Sequence, residues 1–114
     1  MRIHNTTRDT DLAGHARRAA GYWSRLIGLL GRSGLHQGEA LLLEPCSSVH
    51  TAFMRFTIDV VYVDKSGKVV KVAPGLRPFR VSAALRGGHS VIELPKGTVA
   101  ATGTAPGDQL TFEG

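Results

Sequence analysis

The chain has 114 residues, of which 42% are hydrophobic and 20% charged, and its 14 Lys+Arg against 9 Asp+Glu give a formal charge of +5. This length and composition exclude a disordered chain and predict a single domain over residues 1–114. The single cysteine excludes an intrachain disulfide and a zinc site built from several cysteines. We find neither a signal-peptide pattern nor an apolar run near the roughly 18 residues of a membrane span, so we expect a cytoplasmic location.

The first third of the chain predicts two short strands and a helix. Residues 2–8 and 11–18 favour extended structure with turn-forming residues between them, although the Ala-rich second segment is also compatible with a helix. The principal helix is predicted at residues 21–31, because apolar residues recur there at i, i+3, i+4 and i+7. These residues are Trp23, Leu26, Ile27 and Leu30.

Beyond residue 38 the apolar pattern changes to that of short strands. Residues 40–44 form an apolar run, and residues 58–64 are rich in Val, Ile and Tyr, which favours a strand. A turn through Ser66 and Gly67 predicts a hairpin from residues 58–64 to a partner strand at residues 69–73.

Proline and glycine residues bound the remaining strands. Pro74, Gly75 and Pro78 are expected to end the second strand of the hairpin, and further strands are predicted at residues 91–94 and 109–112. Many short strands with one helix predict a mainly β fold, borderline α+β. We expect a compact antiparallel sheet or a partly closed barrel of short strands, with one helix at about 21–31.

Residues 46–61 read C-S-S-V-H-T-A-F-M-R-F-T-I-D-V-V. This stretch resembles the signature of domain of unknown function 192, a family of bacteria and archaea, which typically reads C-x-x-I-H-T-x-x-M-R-F-x-I-D-V-V-F-L-D. Four further segments resemble other blocks of that family in the same order, at residues 25–32, 76–78, 91–97 and 106–110. The resemblance implies a mainly β fold with one helix, and a function that is not established for the family.

Several polar residues stand inside the most apolar parts of the chain. They are Cys46, His50, Thr51, Arg55, Asp59 and Glu93. Because an unpaired charge is costly in apolar surroundings, Arg55 is expected to pair with Asp59 or Glu93. Such a pair is compatible with a purely structural role and also with a site for a charged ligand.

Cys46 and His50 are the residue types of a nucleophile and its base. The sequence has no nucleophile elbow and no signature of a cysteine protease, and a lone cysteine in a β domain is often a small buried hydrophobe. Cys46 is therefore kept only as a candidate reactive thiol. The histidine spacings do not favour a metal site, and we expect neither a metal nor a cofactor.

The segment from Lys65 to Ile92 is positively charged throughout. It contains Lys65, Lys68, Lys71, Arg77, Arg80 and Arg86 and no acidic residue. Such a stripe attracts phosphate groups, but Phe79 is its only aromatic residue, and stacking of bases needs more. Lysines on an exposed edge strand also prevent sheets from associating, which is the simpler interpretation.

The pattern favours a non-enzymatic binding or accessory domain for a small anionic ligand or a peptide. Its groove is expected to be lined by residues 50–59 and Glu93, with Arg55 as the anion anchor. His50 and Thr51 would donate or accept hydrogen bonds, and Asp59 with Glu93 would orient the site. The alternatives are a hydrolase or transferase that uses Cys46 and His50, and a weak nucleic-acid-associated protein that uses residues 65–86.

Overall fold

The structure is a computed structural model that describes residues 1–19, 35–44, 48–50, 56–78, 80–84 and 87–114. These ranges contain ten strands and one short helix. In chain order the elements are β1 (Arg2–Asn5), β2 (Thr10–Ala13), β3 (His15–Ala19), β4 (Glu39–Leu43), β5 (Ser48–His50), β6 (Ile58–Val63), β7 (Val69–Leu76), β8 (Val81–Ala83), β9 (Ser90–Pro95), α1 (Thr98–Thr102) and β10 (Leu110–Glu113).

The strands form three sheets. The largest has five strands in the order β3-β4-β9-β6-β7, in which β3 and β4 are parallel and the other neighbours are antiparallel. A second sheet has the order β10-β1-β2, and β5 pairs with β8. The predicted mainly β fold is confirmed.

The sheets are not closed into a barrel, so the barrel alternative is not supported. The three-stranded sheet reaches both edges of the five-stranded sheet, but only through short local contacts. One is the bond from the Ala16 amide to the Met1 carbonyl, at 2.8 Å, and another is the isolated bridge between Lys68 and Gln109. Closure would require continuous ladders at both edges.

The extended structure predicted for the N-terminal segments is confirmed, but the number of strands differs from the prediction. The segment predicted at residues 11–18 is two strands, because the chain bends at Gly14 and passes from the three-stranded sheet to the five-stranded one. The predicted helix at 21–31 lies outside the described residues. The described helix, α1, was not predicted, because a single turn is too short to show a helical period.

The β6–β7 hairpin is confirmed. Its turn is closed by the Gly67 amide, which donates to the Asp64 carbonyl at 3.1 Å, and by the Asp64 amide, which donates to the Lys68 carbonyl at 2.9 Å. The prediction that Pro74 and Gly75 end β7 is wrong, since the strand continues to Leu76 through a register shift. A proline is tolerated there because β7 is an edge strand, where a missing N–H breaks no ladder.

Gly67→Ala is expected to destabilise the hairpin. Gly67 has a φ of 86°, and an added Cβ would lie 2.7 Å from the Leu110 carbonyl oxygen. The left-handed conformation alone costs about 1–2 kcal/mol for a residue with a Cβ. Gly14→Ala is the matched control, since a Cβ there meets nothing within 4 Å. Urea denaturation should show a lower free energy of unfolding for Gly67→Ala only. Equal stability of the two variants would contradict this account.

The five-stranded sheet has two buried faces. The inner face, which carries Leu42, Val61 and Ile92, packs on the three-stranded sheet and on Val99 of α1. The outer face carries Leu41, Val60 and Val91 in a second apolar cluster. Of the described helical residues, none forms a segment long and apolar enough to cross a membrane.

Candidate functional site

The structure places three of the six predicted site residues. His50 ends β5 and pairs with Val81 of β8, Asp59 is the second residue of β6, and Glu93 lies in β9. The other three, Cys46, Thr51 and Arg55, lie outside the described residues.

Asp59 is a buried carboxylate that is held by backbone donors. The residue is only 1% exposed to solvent. Oδ1 accepts the Gly75 amide at 2.9 Å, and Oδ2 accepts the amides of Gly97 at 3.1 Å and Val99 at 2.8 Å. One carboxylate therefore connects the register shift of β7, the interior strand β6 and the first turn of α1.

Glu93 is also buried, at 0% exposure. It lies opposite Val60 of β6 on one side and Leu41 of β4 on the other, both of which belong to the outer apolar cluster. Because residues directly opposite each other in a sheet share a face, Glu93 lies on the outer face, in the middle of the sheet.

Asp59 and Glu93 lie on opposite faces of the sheet. Asp59 pairs with Leu94, which belongs to the inner cluster, whereas Glu93 pairs with Val60 of the outer cluster. Successive residues of a strand point to alternate faces of the sheet. Because Asp59 and Val60 are neighbours in β6, the pair that contains Asp59 and the pair that contains Glu93 lie on opposite faces. The two carboxylates therefore do not line one face of the sheet. Asp59 makes the backbone contacts described above, and its ligand-orienting role stays a prediction.

Two residues near the signature segment pack on the outer face. Phe56, just before β6, packs against the outer cluster, and so does Ala84, just after β8. The β8 end is further held by Lys71 of β7, whose Nζ donates to the Ala83 carbonyl at 2.6 Å and lies 5.8 Å from the ring centre of Tyr62.

The positively charged stripe follows the edge of the five-stranded sheet. Its described members are exposed and lie in the β6–β7 turn, along β7 and just before β8: Lys65, Lys68, Lys71, Arg77 and Arg80. Arg86 lies outside the described residues. This placement fits lysines that protect an edge strand, and nucleic-acid binding by the stripe stays a prediction.

Two polar arrangements were not found from the sequence. Asp108 is a buried carboxylate near the C-terminal turn that holds the two chain ends together, and a cavity of about 550 Å³ lies between β2 and α1. The Asp108 cluster joins segments about 100 positions apart in the sequence, and the cavity joins segments about 85 positions apart. No local sequence pattern could therefore have predicted either arrangement. Among the described residues, no three His, Cys, Asp or Glu side chains converge as metal ligands would.

The sequence matches a known protein family over most of its length. The model of the family described as Uncharacterized ACR, domain of unknown function 192, matches residues 3–112. A UPF0127 protein of Pyrococcus furiosus is 30% identical over 111 residues, which cover 95% of each chain. A UPF0127 protein of Thermococcus sibiricus is 26% identical over 113 residues, which cover 96% of this chain and 73% of the relative.

Two crystal structures share the fold. A protein of Sinorhizobium meliloti, described as a candidate transcription regulator, has a TM-score of 0.80 at 19% identity, covering 96% of this chain and 89% of its own. A protein of unknown function from Novosphingobium aromaticivorans has a TM-score of 0.78 at 19% identity, covering 97% and 82%. With the family model matched across almost its whole length, the chain belongs to the domain of unknown function 192 family.

Proposed function

We propose that this protein is a non-enzymatic binding domain for a small anionic ligand, with its site on the outer face of the five-stranded sheet. Glu93 forms the floor of the site, Arg55 anchors the anion, and His50 and Thr51 supply hydrogen bonds. Asp59 supports the site from the opposite face by fixing β6, β7 and α1 relative to one another.

The observation that carries the proposal is the position of Glu93. A carboxylate at the centre of an apolar sheet face loses its hydration, which costs several kcal/mol unless a cation or hydrogen-bond donors compensate. Arg55 directly precedes Phe56, which packs on that same face, and it follows β5, whose partner β8 leads into Ala84 of the same cluster. A guanidinium held by Glu93 retains N–H donors with which to bind a carboxylate or phosphate.

Asp59 supports a binding role over a catalytic one. A general base must accept a proton from a substrate within hydrogen-bond reach. Both oxygens of Asp59, the one acidic residue among residues 46–61, instead accept backbone N–H groups, so Asp59 supports the fold and does not serve as a general base.

A thermal-shift experiment tests this function. Inorganic phosphate, succinate and an acidic tripeptide are added to the wild type, and at least one of them is expected to raise the melting temperature. A ligand at about 100 times its Kd adds roughly 2.7 kcal/mol, which corresponds to a shift on the order of 10 °C in a domain of this size. Arg55→Met and Glu93→Gln are expected to lose that shift.

Arg17→Met is the matched control, because Arg17 is an exposed residue of β3 and the change removes the same charge. It should keep the ligand response of the wild type. If no probe stabilises the wild type, or if the double variant Arg55→Met with Glu93→Gln responds as the wild type does, the pair serves folding alone and the proposed function is wrong.

A further inference from the structure

A cavity lies away from the outer face, between β2, the turn before β4 and the start of α1. Its volume is about 550 Å³. Small-molecule sites in proteins commonly have volumes of roughly 300–1,000 Å³. The cavity is therefore large enough for a metabolite of sugar size.

The polar side chains around the cavity are available to a ligand. Lys96 is exposed and forms no ion pair within the described parts of the chain, and the Gln37 amide makes no hydrogen bond there. Asp11 also lines the cavity, and its hydrogen bonds within the described residues fall on Oδ1, from Arg2 Nε at 2.9 Å and His4 Nδ1 at 2.6 Å. Its Oδ2 makes no hydrogen bond with those residues.

Asp11 carries its charge at neutral pH. Hydrogen bonds from Arg2 and then from His4 hold the pKa of the Asp11 carboxyl below its ordinary value. The cavity thus offers one cation, one anion and one amide. This set does not suit an apolar guest, but it suits a molecule that combines a negative charge with hydroxyl groups.

Gly14 leaves the backbone bare at the cavity wall. Its φ is outside the left-handed region, and an added Cβ would meet no atom within 4 Å. Neither backbone conformation nor internal packing therefore requires glycine at this position. The backbone at Gly14 therefore leaves room for a ligand to approach closely.

The cavity wall is preformed. The Thr10 hydroxyl donates to the Thr102 carbonyl at 2.9 Å and so joins β2 to α1. On the other side, Asp59 accepts the amides of Gly97 and Val99 and fixes the turn that carries Lys96. A preformed wall lowers the cost of ordering when a ligand binds.

We propose that this cavity binds a small hydroxylated anion, with Lys96 facing the anionic group and with Asp11 and Gln37 binding the hydroxyls. The site is independent of Arg55 and Glu93. It gives the protein a second ligand class, and the signature residue Asp59 positions its wall.

Isothermal titration calorimetry with gluconate as the probe tests the proposal. Gluconate is expected to bind the wild type with a Kd of about 1 mM or below. Glucose, which lacks the charge, and acetate, which lacks the hydroxyls, are each expected to bind about tenfold more weakly or not at all. Lys96→Gln should weaken gluconate binding about tenfold by removing the charge-assisted contact, whereas Lys65→Gln, an equal change of charge in the β6–β7 turn, should leave it unchanged.

Gly14→Val places a side chain against the cavity wall and is expected to abolish gluconate binding while the melting temperature stays near that of the wild type. Three results overturn the proposal: no gluconate binding to the wild type, equal binding of glucose and gluconate, or equal weakening by Lys96→Gln and Lys65→Gln. Loss of gluconate binding in Glu93→Gln with retention in Lys96→Gln also overturns it, because the anion would then bind on the outer face.

Discussion

Asp59→Ala is expected to lower the free energy of unfolding by about 4 kcal/mol, because the change leaves three backbone N–H groups without their acceptor. A buried donor left unsatisfied costs about 1–3 kcal/mol, and water entering the vacated space offsets part of the sum. A domain of this length has a total stability of only about 6–17 kcal/mol, so the loss is a large fraction of it. Urea denaturation followed by circular dichroism measures the effect.

Asp59→Asn gives a graded version of the same test. The amide keeps one acceptor oxygen and replaces the other oxygen by an NH2 donor. Depending on the orientation of the amide, this donor faces either the Gly75 N–H or the N–H groups of Gly97 and Val99, so at least one hydrogen bond is lost. We expect a loss of about 2–3 kcal/mol. Asp9→Asn is the control, since the Asp9 side chain is 95% exposed, and it should stay within about 0.5 kcal/mol of the wild type.

The opposite result has a clear meaning. If Asp59→Asn unfolds like the wild type but loses binding of an anionic probe, then the carboxylate acts on a ligand and not on the backbone. Hydrogen exchange adds an independent readout, since the Val99 amide should exchange faster in Asp59→Asn if it has lost its acceptor.

The parts of the fold that were predicted correctly are those in which local chemistry determines structure. Val and Ile content with a glycine turn was sufficient for β6, β7 and their antiparallel pairing. The pairing of β3 with β4 was not predicted, because two parallel strands joined by a long connection leave no local signal. Strands of three residues, such as β5 and β8, are also too short to show alternation.

The candidate site was predicted as a set of residues but not as a geometry. Sequence alone shows that Asp59 and Glu93 are polar residues in apolar strands. Which face each occupies depends on the β6–β9 register, in which Asp59 lies opposite Leu94 and Glu93 lies opposite Val60. A shift of one residue would have placed both carboxylates on one face, and only long-range pairing decides between the two arrangements.

The second large effect is expected at Asp108, which joins the two ends of the chain. Its Oδ2 accepts hydrogen bonds from Asn5 Nδ2, Arg8 Nε and the Ala105 amide, each at 3.0 Å. Asp108→Ala removes the buried acceptor of this cluster, whereas the half-exposed Arg8 can turn to water, so we expect a loss of about 2–3 kcal/mol at neutral pH, mainly from the Asn5 and Ala105 donors. Asp108→Asn keeps a neutral acceptor oxygen for the same donors and should lose less, about 1–2 kcal/mol.

The dependence on pH separates the charge of Asp108 from its hydrogen bonds. Burial alone would raise the pKa of the Asp108 carboxyl, but the Asn5, Arg8 and Ala105 donors outweigh it and the pKa is lowered. The stabilisation from ionised Asp108 is therefore complete above the unfolded-state pKa of about 3.9 and is lost as the pH falls through the lower pKa of the folded state. Urea denaturation between about pH 2 and pH 7 should show the stability gap between wild type and Asp108→Asn closing in that acid range. A gap that stays constant down to about pH 2 would show that the charge of Asp108 does not contribute to stability, and the hydrogen bonds alone would then account for its effect.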